Sequence, residues 1–189
     1  RGQKIDLSLL ESQVAVLINI ASSYLIGGVE ARRWGTAHES IVPYQAFKTS
    51  DSYVTLGAGN DRLFGRLCAM LGLPELIEDE RFRTNAARVS HRKELITLIQ
   101  EHFAKRTTAE WLAELEKAGV PHAPINKMAD VFSDPQVLHR GMVQEIAHPT
   151  AGTLKLVGIP VKYSDTKPEI RLSPPLLGQH TDEVLSSLL

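Results

Sequence analysis

The chain has 189 residues, 43% hydrophobic and 23% charged, with a formal net charge of -1. That length suits one domain or one and a fraction, on a prior of about 150 residues per domain, and the balance is that of an ordinary globular protein. A near-neutral charge without a Lys/Arg block or an acidic tail argues against nucleic acid as a partner, and a single cysteine excludes a disulfide framework.

The chain opens on Arg1-Gly2-Gln3-Lys4 with no initiator Met and no leader, and the sequence is expected to start partway through a longer protein. Ser8 and Glu11 make a capping box ahead of a helix over 8–26. Val14, Val16, Leu17, Ile18 and Ile20 make that helix apolar on most faces. It is expected to be buried and to need cover on more than one side, more than this chain supplies. The most apolar run, 14–26, contains Asn19, Ser22 and Ser23 and is shorter than the roughly 20 residues a bilayer requires, so no membrane partner is expected. Gly27-Gly28 ends the helix.

After a loop over 29–40, residues 41–48 and 53–56 read as two strands around a turn at 49–52. Asn60 caps a helix over 61–71 with the stripe Leu63, Phe64, Leu67, Met70 and Leu71, stopped by Gly72 and Pro74. Cys68 lies on this stripe and is expected to be a buried structural thiol. A helix over 89–103 turns Leu95, Ile96, Ile99 and Phe103 to one face. Thr107 and Glu110 form a second capping box, for a helix with inner face Trp111, Leu112, Leu115 and Ala118 that Gly119 closes.

A short turn of helix is expected at 126–132, and Asp134-Pro135 starts another that ends near Gly141. Residues 142–147 and 153–157 read as a second antiparallel pair, which 159–162 would extend. An extended connector at 166–175 leads to a last helix capped by Thr181. The fold class is α+β.

The chemistry-bearing residues exclude several classes. No two of the seven histidines stand three or four apart, so no metal site is expected. No Gly-x-Ser-x-Gly elbow is present. Gly57-Ala58-Gly59-Asn60 joins a strand to a helix; it reads as a tight turn with a cap, or as an anion-binding helix start without the full dinucleotide fingerprint. The segment Arg33-Trp34-Gly35-Thr36-Ala37-His38 unites a cation, an aromatic, a permissive glycine, a hydroxyl and an imidazole. It reads either as a loop closing over an anionic substrate or as a surface loop with Trp34 packed inward.

Several segments taken together resemble the class III (CaiB/BaiF-type) CoA-transferases. They are Asp134-Pro135-Gln136-Val137-Leu138-His139-Arg140-Gly141, His148-Pro149, Gly158-Ile159-Pro160 and Pro174-Pro175-Leu176-Leu177-Gly178-Gln179-His180-Thr181-Asp182-Glu183-Val184-Leu185. Upstream, Pro43-Tyr44-Gln45-Ala46-Phe47-Lys48-Thr49, Gly59-Asn60-Asp61-Arg62-Leu63-Phe64 and Gly2-Gln3-Lys4-Ile5-Asp6-Leu7-Ser8-Leu9 are similar to family segments in the same order. One departure stands out: the family's Gly-Asn-x-His-Pro reads Gly35-Thr36-Ala37-His38-Glu39 here.

The resemblance implies a CoA-transferase whose small α+β domain lies at 29–165. It assigns 1–28 to the end of a Rossmann-like large domain and 166–189 to a tail returning to it. It implies an interlocked homodimer, a nucleophilic aspartate outside this chain, no catalytic residue within it, and no permanently bound cofactor. The substrates would be a coenzyme A thioester and a carboxylic acid, with Arg33, Trp34, Gly35, Thr36 and His38 as substrate-binding residues. Within the family the sequence looks closest to mitochondrial transferases that move CoA between succinate and glutarate-like dicarboxylates. The expected compartment is then the mitochondrial matrix, or the cytoplasm for a bacterial relative. An acyl-CoA racemase of the same superfamily and a non-catalytic interaction domain are the alternative readings.

Overall fold

The computed structural model describes residues 2–188. Arg1, the first residue of the opening motif, and Leu189 lie outside them. The chain divides after Ile125 into two compact units, a boundary that falls inside the segment expected as one small domain.

The first unit begins with two short helices, α1 (Leu9–Ala15) and α2 (Ile18–Gly27), where one helix over 8–26 was expected. They are bent by 72° at the break, and no single helix among the described residues is long and apolar enough to cross a membrane. Ser8 accepts from the Glu11 N–H, but its own hydroxyl donates to the Glu11 carboxylate, so only half of the expected capping box forms. The expectation of burial is corrected here: neither helix buries a residue, and Leu25 and Ile26 are 78% and 87% exposed. The cause is the one foreseen from the pattern, since no described residue of this chain covers the several apolar faces.

Strands β1 (Tyr44–Lys48) and β2 (Tyr53–Gly57) form the expected hairpin, with Lys48 opposite Tyr53 and Tyr44 opposite Gly57. Ile41, Val42 and Pro43 stay outside the ladder. Helix α3 (Asp61–Leu71) starts at Asn60, whose side chain accepts from the Leu63 N–H, and ends at Gly72 in a left-handed conformation. The short α4 (Glu75–Glu78) follows.

The helix expected over 89–103 is two helices, α5 (Asn85–Ser90) and α6 (Arg92–Phe103), broken at His91. Thr84 caps α5 by accepting from the Ala87 N–H, so the helical segment begins earlier than the apolar pattern indicates. In α7 (Thr108–Ala118) the capping box of Thr107 and Glu110 is reciprocal, as expected. The Thr107 hydrogen bonds hold the Glu110 carboxyl below its ordinary value. Strand β3 (His122–Pro124) has no counterpart in the sequence reading; it pairs antiparallel with β2 to give the order β1-β2-β3.

The core of this unit lies between the sheet and helices α3, α6 and α7. It includes Phe47, Val54, Leu56, Phe64, Leu67, Leu95, Ile99, Phe103, Trp111 and Leu115. Phe103 stacks on Phe47 at 5.1 Å and meets Trp111 at 4.8 Å between ring centroids. The Trp111 indole N–H donates to the Phe103 carbonyl, so its one polar atom is satisfied inside the core. Cys68 is buried as expected, and burial pushes its thiol up to about 12.

Arg88 is the exception to an apolar interior. It is fully buried, yet its guanidinium donates to the Val42 and Phe82 carbonyls and to Asp61, and it lies over the Phe64 ring. A buried cation is tolerated where its donors are matched in this way.

The second unit contains α8 (Met128–Ser133), α9 (Pro135–His139), the hairpin of β4 (Val143–His148) and β5 (Gly152–Val157), and α10 (Thr181–Leu188). Asp134 caps α9 by accepting from the Gln136 and Val137 N–H groups, with Pro135 at the first helical position as expected. Residues 159–162 do not extend the hairpin. Gly158 donates to the Met142 carbonyl, and a Cβ there would fall 2.1 Å from the Gly141 carbonyl oxygen, so only glycine fits. No hydrophobic side chain among this unit's described residues is fully buried.

Candidate functional site

The candidate loop, 33–38, connects α2 to the hairpin and folds back on β1. Three bonds hold that fold. The Thr36 hydroxyl accepts from the Ala46 N–H at 3.1 Å, the His38 N–H donates to the Tyr44 carbonyl at 2.9 Å, and the Ala37 N–H donates to the Trp34 carbonyl. Gly35 has φ 63°, a left-handed turn that a side chain would strain. Glycine and threonine at these two positions thus shape the loop.

The His38 ring stacks on Tyr44 with centroids 5.5 Å apart and planes 13° from parallel. Its Nδ1 accepts from the Ser40 N–H at 3.1 Å. In the neutral imidazole that places the proton on Nε2, which is then a hydrogen-bond donor. Trp34 is half-buried, and two guanidinium groups lie over it: Arg32 at 4.2 Å and Arg92 at 4.6 Å from the ring. Such stacking favours planar cations on an indole face.

Two depressions flank the loop. One, of about 690 Å³, is lined by residues including Arg32, Trp34, Glu39, Val89 and Arg92. The other, of about 550 Å³, lies between residues 16–20 of the N-terminal helices and Trp34, Ala37 and His38. The structure therefore brings Trp34 and His38 into cavity walls together. Arg33, the cation singled out from the sequence, is exposed and makes no hydrogen bond or ion pair among the described residues.

Arg32 and Arg92, rather than Arg33, are the cations beside the indole, and the sequence reading selected neither. Arg92 donates to the His38 carbonyl at 2.8 Å and to the Glu39 carbonyl. Burial first, and the neighbouring Arg32 charge second, hold Arg92 below its ordinary value, with Glu39 opposing them. A polar series at 85, 88 and 92 in an otherwise amphipathic segment was the available signal. The Gly57–Asn60 segment forms a turn with a cap: the Asn60 side chain accepts from the Leu63 N–H at the start of α3.

The arrangement offers a carboxylate a cation and an imidazole donor beside an aromatic wall. Donors fixed beforehand stabilise developing negative charge, and apolar walls keep water from reactive acyl groups.

The family sequence model for "CoA-transferase family III" matches residues 1–181. The chain belongs to that family. Mouse succinyl-CoA:glutarate CoA-transferase is 52% identical over all of this chain, which covers 43% of that protein. The succinate–glutarate CoA-transferase of Agrobacterium fabrum is 38% identical over 99% of this chain, covering 47% of the relative. A crystal structure of a CaiB/BaiF family protein from Brucella suis superposes with a TM-score of 0.81 at 40% identity, over all of this chain and 48% of that one. The chain thus spans a little under half the length of the transferases it matches. The expected α+β class and the family resemblance both hold. The motif residues of this family member occupy turns and caps: Asp134 and Pro135 start α9, His148 accepts from the N–H groups of Thr150 and Ala151 in the β4–β5 turn, and His180 pairs with Glu183 in α10.

Proposed function

We propose that the protein containing this chain transfers CoA from succinyl-CoA to a dicarboxylate such as glutarate. The observation that supports this most is the 52% identity, unbroken over the whole chain, with the mouse succinyl-CoA:glutarate CoA-transferase. The chemistry is covalent, with an aspartate outside this chain as nucleophile. Its carboxylate attacks the thioester carbonyl, CoA thiolate leaves, and a mixed anhydride forms. The thiolate then attacks the aspartyl carbonyl and releases succinate, leaving an aspartyl-CoA thioester. The acceptor carboxylate displaces the thiolate to give a second anhydride, and thiolate attack on the acceptor carbonyl frees the new acyl-CoA and restores the aspartate.

Every intermediate in this sequence is prone to hydrolysis, so the site must exclude water. The loop with Trp34 and His38 suits that task, with its imidazole donor available to an oxyanion. Arg33, exposed and without a hydrogen bond or ion pair among the described residues, is a cation available to the far carboxylate of a dicarboxylic acid. The active enzyme is an interlocked homodimer in which this chain joins a Rossmann-like large domain through α1, α2 and α10. Leu25, Ile26, Val184, Leu185 and Leu188 supply exposed apolar surface for that contact.

The test is a CoA-transfer assay with succinyl-CoA and a panel of dicarboxylates and monocarboxylates, on this chain and on the chain extended upstream. Transfer to glutarate by the extended protein alone supports the reading. Transfer by the 189-residue chain alone would place the nucleophile inside it and overturn the assignment. In the extended enzyme Arg33→Gln should weaken dicarboxylate use more than monocarboxylate use; equal loss removes Arg33 from acceptor recognition.

A further inference from the structure

The segment leaving the loop is gripped through its backbone by three side chains from the next helical pair. Arg92 holds the His38 and Glu39 carbonyls. Asn85 donates to the Ser40 carbonyl at 2.8 Å and accepts from the Val42 N–H at 3.2 Å. Arg88 donates to the Val42 carbonyl at 2.7 Å. Positions 85, 88 and 92 therefore together span the backbone from His38 to Val42. Because the partners are main-chain groups, this grip sets the path of the loop without constraining which side chains it presents.

The three rungs differ in what else they do. Arg88 is fully buried and also ties Phe82 and Asp61 into the core. Asn85 opens α5. Among the described residues the Arg92 side chain hydrogen-bonds to the two loop carbonyls and to nothing else, while its guanidinium plane lies over Trp34. One rigid group therefore touches the loop at both ends, at the indole and at the peptide following the imidazole. A lysine cannot reproduce this, since a single ammonium has neither the planar fork nor the stacking face.

We propose that Arg92 is the positioning residue of the acyl-transfer site. It holds Trp34 and His38 as a preformed wall, so that the loop meets substrate already in place instead of swinging over it. This inference rests on the reading that the loop borders the site of CoA transfer. Preorganised geometry is where such a residue acts, and a displacement of about 1 Å in a reacting group costs on the order of 100-fold in rate.

The experiment uses the full-length enzyme with Arg92→Ala and Arg92→Lys. It measures kcat and KM for succinyl-CoA and glutarate, with and without millimolar guanidinium ion, and amide hydrogen exchange across residues 34–42 and across α3 and α7. The expected result is a fall in kcat of about 100-fold in both variants, with a much smaller change in KM. Guanidinium should restore part of the kcat of Arg92→Ala and none of that of wild type. Exchange should accelerate in 34–42 and stay unchanged in α3 and α7. Unchanged exchange in 34–42 overturns the proposal, because Arg92 then does not hold the loop. Faster exchange there with unaltered kcat overturns it too, because the loop then does not serve catalysis. Loss of activity with faster exchange throughout and no guanidinium rescue reduces Arg92 to a structural role. A wild-type enzyme that transfers no CoA instead sinks the transferase reading, and the exchange result alone then decides whether Arg92 holds the loop.

Discussion

Helix α2 has ten residues and buries none; helix α3 has eleven and buries Phe64, Leu67, Cys68 and Leu71. Both are rich in apolar side chains. They differ in arrangement: α3 concentrates its apolar groups in a stripe, whereas α2 spreads Ile18, Ile20, Leu25 and Ile26 around its axis. A stripe needs one opposing surface, which the β-sheet and α7 provide within the same unit. A helix that is apolar all round needs several neighbours at once. Hydrophobicity thus measures how much surface wants cover, while its periodicity decides whether one chain can cover it.

Truncations in the two regions should differ by more than any other pair of changes. Phe103→Ala removes the ring between Phe47 and Trp111 and should cost about 3–5 kcal/mol in urea unfolding. Leu25→Ala in the same 189-residue chain should cost less than about 0.5 kcal/mol, because that side chain is already in solvent. Comparable losses would mean that α2 is packed in solution and would erase the contrast.

Arg88→Met sharpens the comparison from the polar side. It keeps the volume but leaves the buried Val42 and Phe82 carbonyls without their donor, so about 3 kcal/mol of stability should be lost in the same titration. A neutral result would show that the interior accepts an apolar substitute there.

Thr107→Ala removes the reciprocal cap of α7 and should lower stability by about 1 kcal/mol, read as a lower urea midpoint at unchanged slope.

The smallest effect concerns acid. Hydrogen bonds from Arg81 lower the Asp79 carboxyl from 3.8 to about 2. A depressed folded-state value stabilises above the unfolded value and is lost as pH falls through the folded one. Asp79→Asn should therefore lower stability slightly at pH 7 and flatten the decline between about pH 4 and pH 2, so that variant and wild type converge near pH 2. An unaltered acid limb would show that the ion pair is solvent-screened to insignificance.

Much of the fold was legible locally. Caps at Asn60, Thr107 and Asp134 were read correctly because a cap is a bond between residues two or three apart. The stripes of α3, α6 and α7 were legible because helical period alone puts them on one face. Strand β3 was not, since three residues pairing with β2 leave no alternation long enough to notice. The break at His91 was hidden by apolar residues that continue on both sides of it.

The candidate site divides in the same way. The loop 33–38 was visible as an unusual cluster of residue types, and the family motifs were visible as ordered identities. That Arg32 and Arg92 embrace Trp34, while Arg33 faces solvent, was not visible, because Arg92 lies 58 positions after Trp34 and no local rule links them.

By itself, then, the sequence determined the stripes of α3, α6 and α7, the caps at Asn60, Thr107 and Asp134, the α+β class and the family, all of which rest on short-range bonding or on direct residue identity. Tertiary structure alone decided which apolar surfaces are covered and which side chains share a cavity. It also decided that Asn85, Arg88 and Arg92 hold the backbone of 38–42. Those outcomes depend on segments distant in the chain meeting at hydrogen-bonding distance, and only the packing of the core places them there.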